Sequence, residues 1–316
     1  MRHDSMVVGN RQLYHRTMLR AILAVVVVVG LPASVWASGD APAYILRLPP
    51  SVPAALIADT GDSRLYRYHR GDAGVVEVDS HYMSIGENGV GKQRPWDRRT
   101  PLGVYFVSDE LDTEMLHDKY GDLAFPLDYP GTLDRLAGRT GAGIWLHGVD
   151  DRDGQRPALD TDGCLALPNE NLATIAPDLA PFSTPVVIAR GMRFADAGAL
   201  DELADEIVAA LDAWAQSYKS GDLHRYFSLY ASDFRYRDMS RDEWLGFRTQ
   251  AVGSRKLDEI RIANLVLLAE PEEEAVYVAR FEQTIVAGDR QVVSMKRLYW
   301  ERQEDGSLKI IAEDNG

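Results

Sequence analysis

The 316-residue chain contains a single cysteine, Cys164, and seven histidines. Cys164 sits in the run Thr161-Asp162-Gly163-Cys164-Leu165-Ala166-Leu167-Pro168-Asn169, and His147 lies upstream in Ile144-Trp145-Leu146-His147-Gly148. The pair suggests nucleophilic catalysis. A thiolate attacks carbonyl carbon, and a nearby imidazole makes it by taking the thiol proton. Gly163 lets the backbone turn tightly before the sulfur, and the amides of Gly163 and Cys164 are candidate donors to a developing oxyanion. The competing reading is a buried cysteine acting as a small hydrophobe. A His and a Cys at this spacing do not decide between the two by themselves.

The elements around them are strand-like. Ile144–Leu146 is an apolar run that holds His147 at its end, and a polar loop then leads to Cys164. Leu65–His69, Val75–Val78, Gly103–Val107 and Val186–Ala189 are further runs rich in β-branched and aromatic residues, bounded by Gly/Asp clusters. A mostly antiparallel β domain over residues 54–190 is expected, preceded by a Pro-rich leader at 38–53. The pattern then changes. Leu200, Leu203, Ile207, Leu211, Trp214 and Tyr218 recur every three or four residues, which predicts an amphipathic helix stopped by Ser220-Gly221-Asp222. A second helix carrying Tyr226, Phe227 and Tyr230 and a third starting at Asp242-Glu243-Trp244 are expected. Strands follow at 260–269, 274–287, 290–302 and 307–313. Helices first and an antiparallel sheet after them make an α+β second domain over 199–316.

The N-terminus reads as an export signal. Arg11, Arg16 and Arg20 precede the apolar run Ala21–Leu31, and Val35-Trp36-Ala37 offers small residues for cleavage, giving a signal peptide at 1–37. The run is shorter than the roughly 20 residues of a spanning helix and is followed by Pro32, so cleavage is favoured over a retained anchor. Without residues 1–37, four Arg and one Asp are gone, leaving 30 basic against 47 acidic side chains, a net charge of −17. That charge excludes binding nucleic acid through a general phosphate-neutralising surface, and no polybasic patch suits anionic lipid. A lone thiol outside the cytoplasm has no internal disulfide partner, which strengthens the catalytic reading. His69 and His81 lack Cys or carboxylate partners at metal-ligand spacing, so neither a metal nor a cofactor is expected.

The segment His147-Gly148, a loop, then Thr161-Asp162-Gly163-Cys164 resembles the signature of the L,D-transpeptidase family, whose fold is called YkuD-type. The stretches Gly91-Lys92, Asp97-Arg98-Arg99-Thr100-Pro101-Leu102-Gly103, Phe125–Pro130 and Gly138-Arg139-Thr140-Gly141 are similar to that family too, so the likeness spans roughly 52–190. It implies Cys164 as nucleophile, His147 as base and the Gly148 carbonyl as the group orienting the imidazole. It places Gly163, Asp162, Thr161, Trp145 and Arg99 around the oxyanion and substrate. Two positions depart from the family pattern. Asp162 stands where His is usual, and a carboxylate there opposes thiolate formation unless it faces away or is paired. Ala166 stands where Arg is usual, which removes a donor for a substrate carboxylate.

Residues 199–316 resemble the NTF2-like fold, and the order of the two domains is similar to that of cell-shape L,D-carboxypeptidases. The resemblance implies an exported, cell-wall-associated enzyme acting on peptidoglycan stem peptides. It would form a Cys164 thioester, release terminal D-alanine, and pass the acyl group to an amine (crosslinking) or to water (trimming). The NTF2-like domain is a candidate ligand-binding or homodimerising module. The alternatives are a non-catalytic peptidoglycan-binding module and a hydrolase of protein–peptidoglycan links.

Overall fold

A computed structural model describes residues 39–71, 74–149, 156–253 and 257–316. The signal reading of 1–37 lies outside the described residues. The described residues form one compact unit built of stacked sheets.

The first sheet has five strands in the order Gly74–Tyr82, Arg64–Gly71, Ala54–Asp59, Pro185–Ala189, Gly103–Phe106. A smaller sheet of three runs Leu165–Pro168, Trp145–Val149, Ala124–Pro126. Side-chain alternation explains how the first sheet serves two cores at once. Leu56, Ala58, Val186 and Ile188 face the three-stranded sheet and pack with Leu146, Leu165 and Leu167. Their neighbours Ala55, Ile57, Val187 and Ala189 face the opposite way, onto Val266, Leu268, Val278 and Tyr299 of the second domain. A strand buried on both faces needs apolar residues at every position, so Ala54–Asp59 and Pro185–Ala189 read as continuous apolar runs rather than as alternation. The sheet is also mixed, because Ala54–Asp59 and Pro185–Ala189 run parallel, as do Trp145–Val149 and Leu165–Pro168. The antiparallel expectation missed these pairs, since direction is set by long connections and leaves no mark in side-chain periodicity.

The second domain wraps a seven-stranded sheet around one long helix, Ala197–Ser220. Asp196 caps its first turn by accepting from the Ala199 amide, and Gly221, at φ 73°, ends it in the left-handed conformation that glycine tolerates best. The helix buries Leu200, Ala204, Ile207, Leu211 and Trp214 against Leu267, Ala279, Leu298 and Ile310 of the sheet. Burying five such side chains contributes roughly 1.5–3 kcal/mol for each large one. The second helix is short, Leu223–Ser228, and Tyr230 belongs to the next strand, Tyr230–Tyr236. The aromatic spacing that suggested one longer helix arises because Tyr226 and Tyr230 meet in the core, hydroxyl to hydroxyl at 2.8 Å. The strand Tyr230–Tyr236 also pairs parallel with Leu308–Asp314, a further departure from the antiparallel reading.

Residues 38–53 form more than a leader. Asp40–Pro42 pairs with Phe194–Asp196, and Ile45–Arg47 becomes the edge strand of the seven-stranded sheet. Tyr44 and Ile45 are buried in the contact between the sheets. Arg297 joins Asp128 at 2.9 Å and Thr132 donates to Asp314 at 2.6 Å, tying the two domains together with polar contacts as well.

Candidate active site

His147 and Cys164 are positioned by the parallel pair Trp145–Val149 and Leu165–Pro168. Its register sets Leu146 beside Leu165 and His147 beside Ala166. Leu146 and Leu165 point into the core. Strand alternation therefore turns Trp145, His147, Cys164 and Ala166 to the other side, and all four line one cleft of about 590 Å³.

The imidazole is held from behind. Nδ1 of His147 lies 2.7 Å from the Gly148 carbonyl. A carbonyl only accepts, so Nδ1 carries the proton and Nε2 is left with its lone pair. The edge of the ring stands 5.2 Å from Tyr120, which also packs on Trp145 at 4.6 Å. A Cβ on Gly148 would come within 2.1 Å of Asn169 Oδ1, so the Asn169 side chain would have to move to admit one. Burial lowers His147 to about 4 against the pull of the Gly148 carbonyl, with Lys119 and Arg156 adding to the lowering.

The thiol is also protonated at rest. Burial pushes Cys164 up to about 11, opposed by the Trp145 amide and by Lys119. Its Sγ donates to the Gly143 carbonyl at 3.5 Å. Among the described residues no hydrogen bond joins the sulfur to the imidazole. The pair rests as neutral thiol and neutral imidazole, the forms from which a general base takes a proton as the nucleophile attacks.

The loop before the cysteine is braced locally. Thr161 Oγ1 donates to the Cys164 carbonyl at 2.8 Å and accepts from the Gly163 amide at 3.0 Å. That amide, expected to face an oxyanion, is thus already engaged by its own loop. Gly163, at φ 125°, supplies a turn instead, and a Cβ there would meet the Arg99 carbonyl at 2.7 Å. Thr100 completes the brace, donating to the Gly163 carbonyl at 3.0 Å.

Asp162 is 61 % exposed and paired with Lys119 at 3.0 Å, with Arg98 Nε at 3.8 Å. The pairing offsets the charge beside the sulfur. Arg99 is not on the cleft: its Nη1 donates to the Val90 carbonyl at 2.9 Å, and Arg98 lines the cleft in its place. Arg98 takes a left-handed backbone, at φ 53°, and this local bend decides which arginine faces in; the sequence alone does not show it. Lys119, Tyr120 and Arg156 also line the cleft and escaped the sequence reading. Their segments are polar loops with no periodicity, and only the isolated aromatic Tyr120 marks them.

Lys92, Pro95, Trp96 and Arg98 form another part of the cleft wall. Asp97 accepts from Lys92 Nζ at 2.8 Å and from the amides of Gln93, Arg94 and Arg99. Burial opposes ionisation of Asp97, but Lys92 and the amides outweigh it and hold the carboxyl well below its usual range.

Comparison with known proteins agrees with this architecture. Residues 53–188 match the L,D-transpeptidase catalytic domain, YkuD, and residues 206–314 match the Cds6 C-terminal NTF2-like domain. The chain therefore carries a YkuD-type catalytic domain followed by an NTF2-like domain. Among solved structures, it is similar to the helical cell shape determining protein Pgp2 of Campylobacter jejuni, with TM-score 0.69 and 27 % identity over 83 % of this chain and 91 % of that one. A variant of the same protein gives TM-score 0.70 and 25 % identity over 89 % and 94 %. Bd1075 of Bdellovibrio bacteriovorus shares the fold, with TM-score 0.72 at 20 % identity over 88 % and 98 %. No curated protein sequence matches the chain. No helix among the described residues is long and apolar enough to cross a membrane.

Proposed function

We propose that the chain is an exported cysteine acyltransferase that attacks the peptidoglycan tetrapeptide stem between its third residue and the terminal D-alanine. The observation that carries this reading is the placement of Cys164 and His147 on one face of adjacent parallel strands, opening into a single cleft, with the imidazole fixed by the Gly148 carbonyl. As Sγ attacks the carbonyl carbon, Nε2 of His147 takes the thiol proton. The Trp145 amide, which already bonds the sulfur, favours the thiolate, and the Cys164 amide stabilises the oxyanion. Collapse of the tetrahedral intermediate breaks the C–N bond, and the imidazolium returns its proton to the departing D-alanine amine. The Cys164 thioester that remains is resolved by an amine, giving a crosslink, or by water, giving a tripeptide.

The similarity to a helical cell shape determining protein supports a role in setting cell shape through the wall, in the periplasm. Export rests on the N-terminal signal pattern. The test is mass spectrometry of disaccharide-tetrapeptide muropeptides incubated with the protein and with Cys164→Ala. Tripeptide from the unaltered protein alone identifies a carboxypeptidase, and crosslinked dimers identify a transpeptidase. Tetrapeptide left intact by both rejects the proposal in favour of a binding module or a different substrate.

A further inference from the structure

We propose that the cavity between the two domains is a second binding site, for a ligand bearing a primary ammonium group, with Glu270 at its base. The inference goes beyond the activity proposed for the cleft and does not depend on it.

The cavity measures about 570 Å³, as large as the catalytic cleft and within the range of small-molecule sites. Both domains wall it. The catalytic domain supplies the start of the strand Gly103–Phe106, the short helix Thr132–Leu136 and Arg139; the second domain supplies Asp233, Glu270, Glu273, Tyr299 and Glu301.

Glu270 is the unusual group. It is only 6 % exposed and lines the cavity. It accepts a backbone amide from Val104, and no cationic side chain pairs with it among the described residues. A buried carboxyl without a counter-ion is costly, and such a group opening on a cavity marks a ligand site.

The charges around it are otherwise largely spent. Asp134 is neutralised by Arg139 at 2.7 Å and also accepts from Tyr105 Oη at 3.0 Å. Arg190 pairs with Glu272 at 3.1 Å, and Lys92 with Asp97 at 2.8 Å. That leaves Glu270, Glu273, Asp233 and Glu301 against the guanidinium of Arg235, an acidic excess that selects a cation. Among the described residues no three His, Cys, Asp or Glu side chains converge to hold a metal ion. An organic ammonium on a longer body fits the volume and needs only one buried carboxylate with wall acceptors around it.

The groups facing Glu270 set a pH signature. Burial first, then Asp134 and Glu273, push its carboxyl up to about 8, against the Val104 amide and Arg139. Tyr105 and Tyr299 beside it are held neutral well above that range by burial. An alkyl ammonium stays charged to about pH 10. Binding therefore strengthens as pH rises from 6 to 9.

The experiment is calorimetric titration of the full chain with 1,5-diaminopentane at pH 6 and pH 9, with 1,5-pentanediol as the uncharged probe of equal length. The expected result is at least a tenfold tighter association at pH 9, no binding of the diol, and unchanged binding in Cys164→Ala. Glu270→Gln keeps an acceptor for the Val104 amide and should lose at least tenfold in affinity together with the pH dependence. Affinity that is flat or falling between pH 6 and 9 in the unaltered chain overturns the proposal without any substitution. Binding that survives Glu270→Gln, or no binding of the diamine at either pH, overturns it as well.

Discussion

The cleft that holds Cys164 and the cavity that holds Glu270 are nearly equal in volume, at about 590 and 570 Å³, yet they are built in opposite ways. The cleft takes its chemistry from one strand pair within a short stretch of chain, so register alone brings His147 and Cys164 to the same face. The cavity takes its walls from residues as distant as Gly91 and Ile311 and exists only because two domains meet. The first kind of site is written locally, in residue types and spacing. The second is a product of packing, and Glu270 stands in the sequence as one acid among many.

Several perturbations separate the two regions or join them. The largest effect is expected from Cys164→Ala, which should reduce product formation from muropeptides at least 10³-fold while leaving diamine binding between the domains intact. If the variant turns over at the unaltered rate, the cleft is not the reacting centre.

Asp97→Ala should affect both regions, because Lys92 lines each of them and is only 3 % exposed. Leaving that ammonium buried and unpaired should cost about 3–5 kcal/mol. Chemical denaturation measures the loss, and an unchanged midpoint would show that the shared wall is not held by this pair.

The pH dependence of stability sets the two regions against each other, because Glu270, raised to about 8, gains stability as pH falls while His147 loses it. His147 titrates near 6.5 in the unfolded chain and is lowered to about 4 in the folded one. Its contribution is fully present above pH 6.5 and is lost as pH falls towards 4, because the unfolded state then binds the proton the native state refuses. The loss is about 3 kcal/mol. Denaturation midpoints should show the stability of the unaltered chain relative to His147→Gln falling by this amount between pH 7 and 4, the opposite contribution of Glu270 being common to both; an unchanged difference would mean that the imidazole is not held neutral.

A smaller effect is expected for Gly163→Ala, where the left-handed backbone and the Arg99 carbonyl at 2.7 Å should cost about 1–3 kcal/mol. Thermal melting reads the cost, and muropeptide turnover should fall along with it. Least of all, Asp162→Asn should change stability by under about 1 kcal/mol, since its pair with Lys119 is exposed. A larger change in the melt would mean that this pair braces the cysteine loop.

The sequence made the mostly-β domain and the α+β domain after it legible because both rest on periodicity, and the long helix Ala197–Ser220 and the four final strands all announce themselves this way. The YkuD-type resemblance also pointed to a neighbourhood the structure does assemble: Cys164, His147, Gly148 and Trp145 meet in one place. Arg99 was misassigned because a turn of two residues decides whether it or Arg98 faces the cleft. The Gly163 amide was misread because a hydroxyl two residues away had already claimed it. Tyr230 was placed on a helix because aromatic spacing does not distinguish continuing a helix from meeting one in the core. The four final strands pair antiparallel as expected, but the parallel pairs left no mark in the sequence.

The edge strand Ile45–Arg47 pairs with Leu267 and Leu268, about 220 residues further along the chain. A ribosome makes the strand early and its partner late, and any passage through a membrane pore in the N-to-C direction delivers them in the same order. This strand must therefore wait, unpaired and buried on neither side, until residues 267 and 268 have arrived. The seven-stranded sheet is closed on that edge by this one late pairing, so a chain truncated anywhere before residue 267 carries an exposed strand edge that the finished molecule does not.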